Sequence, residues 1–193
     1  MLICQRANHL LTDWKEAQQY CPSNGIINSP PAIIRWEKPQ RGRFKCNIDV
    51  AFSHNKVDFG ACIRDEMGNF IVARTKWFSP CTDVVIGEAL GLLKALNWVH
   101  DMGYDNMDFE LDAKRVVDSV TILRPNDSDL GAITGECNRL IALFFRNSHV
   151  KFVRRQANEV AHALARVAPL MASFHNFYDI PTCIRNIIIN EMS

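Results

Sequence analysis

No stretch of this sequence runs apolar for the roughly 18 residues that a bilayer-spanning helix needs. The N-terminus also lacks the basic, then apolar, then small-residue order of a signal peptide. The expectation is a soluble intracellular chain with no membrane partner, and nothing in it separates nucleus from cytoplasm. There is no C-x-x-C pair, and the seven cysteines are scattered and odd in number, so neither a disulfide framework nor a structural zinc site is expected. An excess of one charge is lacking too. With a net charge of +1 at pH 7, bulk electrostatics is silent about a polyanionic partner, and only local clustering can speak for one. A hydrophobic share of 48% against 22% charged excludes a disordered chain and gives 193 residues enough apolar material for one core.

What is present divides into three parts. Residues 1–34 carry a short helical pattern at Leu10–Tyr20, followed by Pro22, Gly25 and Pro30-Pro31, and read as a linker with a weakly ordered helix. Residues 35–170 carry the regular elements, and 171–193 form a C-terminal tail whose Ile187-Ile188-Ile189 packs back onto the domain. Five basic residues, Arg35, Lys38, Arg41, Arg43 and Lys45, lead into the first strand, either as a solvated entry or as contacts to phosphates. Three strands come next, Phe44–Phe52, Asp58–Arg64 and Phe70–Trp77, joined by short links that make them antiparallel. Ala89, Leu92, Leu93, Leu96 and Val99 repeat at helical spacing within 83–102, with Gly103 as the stop. A strand at 106–111, helices at 113–123 and 129–146, a strand at 149–153 and a helix at 160–167 capped by Asn158 complete the order. Strand-helix-strand links of this length favour parallel crossovers. The fold class expected is therefore α/β, a mixed five-stranded sheet of three antiparallel and two parallel strands with helices on both faces.

One residue disturbs the pattern. Asp49 places a carboxylate in the middle of a central strand, and burying a charge is costly unless it is paired or binds a metal. Glu88, one turn into the long helix, and Asp112, just past the fourth strand, can both reach it if that strand lies parallel to the first. Three carboxylates held together raise one another's pKa unless a cation joins them. A hard divalent ion with oxygen ligands, Mg²⁺ or Mn²⁺, resolves the repulsion, and two such ions about 3.5–4 Å apart suit phosphodiester hydrolysis.

Five segments, taken in order, carry a resemblance: Phe44-Lys45-Cys46-Asn47-Ile48-Asp49; Gly60-Ala61-Cys62-Ile63-Arg64-Asp65 with Gly68; Gly87-Glu88-Ala89-Leu90; Glu110-Leu111-Asp112-Ala113; and Ala157-Asn158-Glu159-Val160-Ala161-His162-Ala163-Leu164-Ala165. Together they resemble a type 1 ribonuclease H domain over about residues 36–170. More narrowly they are similar to the reverse-transcriptase-like domains of plant non-LTR retroelements and their stand-alone derivatives. The resemblance implies a ribonuclease H-like fold and an endonuclease that cuts the RNA strand of an RNA–DNA hybrid with two Mg²⁺ ions. It implies Asp49, Glu88, Asp112 and His162 as catalytic and metal-site residues, an RNA–DNA hybrid as partner, a separate reverse transcriptase as a further partner, and a monomer.

The chain departs from the family pattern at three places. His162 stands where the family usually carries Asp; early in a helix, where the dipole disfavours a cation, a neutral imidazole is expected to ligate a metal or position its water. Val50 stands where many members have Gly and is expected to crowd the nucleic-acid backbone. The connection Arg124-Pro125-Asn126-Asp127-Ser128 holds no basic insertion, so hybrid binding falls to Lys114, Arg115, Lys151, Arg154, Arg155 and the basic stretch before the first strand; Asn47, on the same face as Asp49, is a weak further contact and reads more readily as a packing residue. Such binding is weak and strongly salt-dependent. The alternative is a catalytically silent nucleic-acid-binding or interaction module; the presence of three mutually repelling acids favours catalysis.

Overall fold

Strict alternation through Lys45-Cys46-Asn47-Ile48-Asp49-Val50 gives the first strand two unlike faces, one apolar and one polar. The computed structural model describes residues 34–53, 56–78, 83–122, 128–171 and 174–192, so the expected helix at Leu10–Tyr20 lies outside the described residues. Within them, β1 (Phe44–Ser53), β2 (Lys56–Arg64) and β3 (Phe70–Phe78) form the antiparallel part of the sheet. Helix α1 (Val84–Asp101) starts at Asp83, whose carboxylate accepts from the amides of Val85 and Ile86. It ends just before Gly103, which takes a φ of 75°. Next come β4 (Met107–Leu111), α2 (Lys114–Thr121), α3 (Asp129–Phe144), β5 (His149–Phe152) and α4 (Glu159–Val167). β4 lies parallel to β1 and β5 parallel to β4, as the crossover argument requires.

The sheet has six strands in the order β5-β4-β1-β2-β3-β6, which corrects the expected five. The added strand, β6 (His175–Phe177), pairs antiparallel with β3 from within the C-terminal tail. Three residues are too few to show an alternating pattern, so its strand character comes from the free edge of β3 rather than from its own sequence. The tail ends in α5 (Thr182–Glu191), where Ile184 and Ile188 are buried at 0% and 2% exposure. Of the isoleucine triplet, Ile188 is buried and Ile187 packs partly buried against the same cluster, while Ile189 is exposed.

Two apolar clusters sandwich the sheet. Cys46, Ile48 and Val50 join α1, α2 and α3 in the larger one. Cys62 and Ala73 join Val160 and Leu164 of α4 and Ile184 and Ile188 of α5 in the smaller one. The second layer is close because Gly60 lets it be: a Cβ there would lie 2.3 Å from the Ala165 amide nitrogen and 2.5 Å from the Ala161 carbonyl. Backbone therefore touches backbone, and a methyl cannot be accommodated by rotating a side chain. Gly60→Ala is expected to cost about 3 kcal/mol in urea denaturation. The control is Gly135→Ala, an exposed α3 position with nothing within 4 Å, which should be neutral or slightly stabilising. Equal midpoints for Gly60→Ala and the parent chain would remove the close-approach argument.

Candidate active site

Register brings the acids together. Lys45 lies opposite Asp108 and Asn47 opposite Glu110 across the parallel β1/β4 pair, so Asp112, two residues past Glu110, emerges beside Asp49. Asp49 is 2% exposed. Burial, reinforced by Asp112, lifts its carboxyl from the usual range to about 6, against the opposing pull of His162. Glu88, on α1, is pushed up to about 8, first by burial and then by the charges of Asp49 and Asp112, with Arg155 pulling the other way. The structure thus brings Asp49, Glu88 and Asp112 into one electrostatic cluster, as the sequence predicts.

α4 contributes His162. Its Nδ1 lies 2.7 Å from Asp49 Oδ2, and Arg155 Nη2 lies 2.7 Å from its ring nitrogens. An ionised carboxylate only accepts and a guanidinium only donates, so the consistent assignment is Nδ1–H donating to Asp49 and Nε2 accepting from Arg155. Arg155 also stands 3.9 Å from Asp112 through Nη1, which places a cation at the rim of the cluster.

One residue behaves differently from expectation. Asn158 does not cap α4 through its side chain. Its amide instead donates to the Ile48 carbonyl at 2.8 Å and to Asp112 Oδ1 at 3.4 Å, and its oxygen accepts from Asn47 at 3.2 Å. Asn158 therefore fixes Asp112 to the centre of β1. Asn47 is fully buried, accepting from Trp36 Nε1 at 2.8 Å and from Arg64 at 3.2 Å, and donating to Glu110 at 3.2 Å. Of the two readings of Asn47, packing and contact to nucleic acid, its burial supports packing, because no face of it reaches solvent. Arg64, itself fully buried, stacks 3.4 Å over the Trp36 ring and pairs with Glu191 at 2.5 Å, which ties α5 to this network.

Val50 is a further correction. It is 7% exposed on the α1 side of the sheet, and its Cγ1 fills the notch above Gly91, where a Cβ would meet it at 2.7 Å. Because alternate residues take opposite faces, Val50 points away from Asp49 and into the core under α1, where it does not crowd a nucleic-acid backbone approaching Asp49. The basic stretch also divides. Lys45 is buried and bonded to Glu110 at 2.7 Å, and Arg43 to Asp108 at 2.6 Å, whereas Arg35, Lys38 and Arg41 are exposed. Of the expected phosphate contacts, Arg115 and Arg154 are exposed, Lys114 is exposed and pairs with Asp118 at 3.0 Å, and Lys151 lies 3.1 Å from Asp108.

The donor chemistry fits a hard divalent ion: carboxylate oxygens whose mutual repulsion a dication would relieve, plus one imidazole nitrogen. Among the described residues, no three acid, His or Cys side chains converge tightly enough to hold an ion as they stand. Asp49 is engaged by His162, and Asp112 by Asn158 and Arg155.

The sequence profile of the reverse transcriptase-like family matches residues 47–168, well over half of the chain, and the chain belongs to that family. No curated protein sequence matches it significantly. Among solved structures, it is similar to RNase H1 from the halophilic archaeon Halobacterium salinarum NRC-1 at 25% identity and a TM-score of 0.59, covering 66% of this chain and 98% of that one. The N-terminal RNase H domain of a Mycobacterium tuberculosis protein matches at 21% and 0.56, covering 65% and 92%. LC11-RNase H1 in complex with an RNA/DNA hybrid matches at 17% and 0.56, covering 63% and 93%. The fold is that of a type 1 ribonuclease H domain. No helix among the described residues is long and apolar enough to cross a membrane.

Proposed function

We propose that this chain is an endoribonuclease that hydrolyses the RNA strand of an RNA–DNA hybrid at the Asp49, Glu88, Asp112 and His162 cluster, with two Mg²⁺ or Mn²⁺ ions as cofactors. The observation that carries the reading is the meeting of three carboxylates drawn from β1, α1 and the end of β4, where burial first, and then the charges of Asp49 and Asp112, lift Glu88 to about 8. A fold has no stabilising use for such a cluster, since each buried charge raises the cost of the next. Asp49, Glu88 and Asp112 would supply the oxygen donors and His162 the nitrogen. Once bound, the ions supply charge neutralisation and Lewis acidity toward a phosphodiester oxygen.

The chain's own residues position and select. His162 holds the Asp49 carboxylate through Nδ1–H, and Asn158 holds Asp112. Arg155, beside Asp112, offers a cation where substrate phosphate would approach. Lys114, Arg115, Lys151 and Arg154 lie outside the cluster as phosphate contacts, and 2′-hydroxyl contacts distinguish RNA from DNA. The hybrid held by LC11-RNase H1, a neighbour of the same fold, supports this choice of substrate. The finer resemblance assigns the chain a retroelement ancestry, a separate reverse transcriptase as working partner and a catalytic unit at residues 35–170.

The test is cleavage of an end-labelled hybrid with Mg²⁺ or Mn²⁺, beside DNA and RNA duplexes of the same sequence. Cutting of the RNA strand in the hybrid alone is expected. A folded sample that cuts nothing with either metal overturns the enzymatic reading and leaves a silent binding module.

A further inference from the structure

Next to the cluster, α4 and α5 enclose a groove of about 530 Å³, within the usual range for a ligand site. Its floor is Ala163, Val167 and Ile187, and Arg155 and Arg166 stand at its rim against the acid Glu159. His162 belongs both to the groove wall and to the carboxylate cluster, so the groove adjoins the cluster. One wall, α5, begins at Thr182, beyond the span 47–168 that the family profile matches. The groove is therefore completed by the C-terminal segment, which the family profile does not cover. That segment is held firmly in place by buried Ile184 and Ile188 and by the Arg64–Glu191 pair.

An apolar floor with two guanidiniums at its edge suits a unit that is apolar on one side and anionic on the other. A nucleotide has that character: the base and sugar pack, and the phosphate pairs. We propose that the α4/α5 groove is a second contact for the substrate strand, holding the nucleotide that flanks the phosphodiester at the cluster, with Arg155 and Arg166 on its phosphates and Ala163, Val167 and Ile187 under its sugar and base. The inference rests on the hybrid nuclease reading and extends the substrate footprint beyond the four cluster residues.

Cys183 provides a built-in reporter, since it lines the groove and is the exposed free thiol among the described residues. The full-length Asp49→Asn protein, which keeps the hybrid intact, is titrated with a fluorescent RNA–DNA hybrid across a salt series. It is also alkylated with N-ethylmaleimide with and without saturating hybrid, and Cys183 is followed by peptide mass mapping. Adding Arg166→Glu is expected to weaken hybrid binding about tenfold and to lower the slope of log K against log salt by about one. Adding Lys94→Glu, on exposed α1 surface, controls for bulk charge and should leave the slope unchanged. Saturating hybrid is expected to slow alkylation of Cys183 at least about fivefold.

Hybrid cleavage by the parent chain, together with an unprotected Cys183 and a normal salt slope in Arg166→Glu, overturns the groove while leaving the nuclease reading intact. Cys183 protection that grows with protein concentration alone assigns the groove to a second copy of the chain and likewise overturns the proposal. A parent chain that neither binds nor cuts the hybrid overturns both readings together.

Discussion

Asp49→Asn is expected to reduce hybrid cleavage about a thousandfold or more while leaving the metal-free protein as stable as the parent or more so. The two effects have opposite signs because the carboxylate serves chemistry at the expense of the fold. Loss of several kcal/mol of metal-assisted stabilisation corresponds to roughly three orders of magnitude in rate. Folding meanwhile gains, because Asn places no charge at a site 2% exposed whose carboxyl is lifted to about 6. At pH 8 without metal, relief of that burial is worth about 1–3 kcal/mol, less whatever the His162 bond loses when its acceptor becomes an amide oxygen. Initial rates on the labelled hybrid and urea midpoints in chelator give the two readings. A variant that still cuts would remove Asp49 from the metal site, and one that loses rate and stability together would make Asp49 a packing residue. Activity sites that trade stability for function behave in the first way.

The sheet was legible where alternation was long and connections were short. β1 through β4 announced themselves by period and length, and the parallel placement of β4 came from the crossover rule. β6 was hidden because a three-residue strand carries too little pattern, and its partner edge decided it. Asp49 was visible as a charge in a strand, but the partners of the Asn47 and Asn158 side chains were not, for a common reason. A short amide reads locally as a cap or a contact, whereas here each spends its hydrogen bonds on partners far away in sequence. The sequence does carry one signal of this arrangement. Asp108-Phe109-Glu110-Leu111-Asp112 alternates in the same way as Lys45-Cys46-Asn47-Ile48-Asp49, so two neighbouring parallel strands turn polar residues to one side. That pattern marks a buried polar layer, with Lys45–Glu110 paired at 2.7 Å and the Asn47 amide at its centre. Val50 was weighed as an obstacle because it stands where many family members carry Gly, although neighbours in a strand are the residues least able to share a face.

The metal-free protein is expected to lose stability as pH rises from 5 to 8, and divalent ion to restore it most at the upper end. The sign comes from linkage. Glu88 has its folded pKa raised from 4.5 to about 8 and Asp49 from 3.8 to about 6, so between the unfolded and folded values the native state binds more protons than the unfolded chain. Stability from these groups is complete below about pH 4 and is lost as pH climbs through 6 and then 8. Asp108 has the opposite sign, held down to about 2 by Arg43, His149 and Lys151 against the cost of burial, but its effect falls below pH 4 and outside this window. The expected loss between pH 5 and 8 is about 2–4 kcal/mol, measured by urea denaturation in chelator. Mg²⁺ or Mn²⁺ displaces those protons, so its stabilising effect should be small at pH 5 and largest at pH 8. Glu88→Gln isolates the larger contribution: it should flatten most of the slope and weaken the response to metal. A parent profile that rises or stays level from pH 5 to 8, or a metal response that Glu88→Gln leaves unchanged, would dissolve the coupled cluster on which the nuclease reading depends.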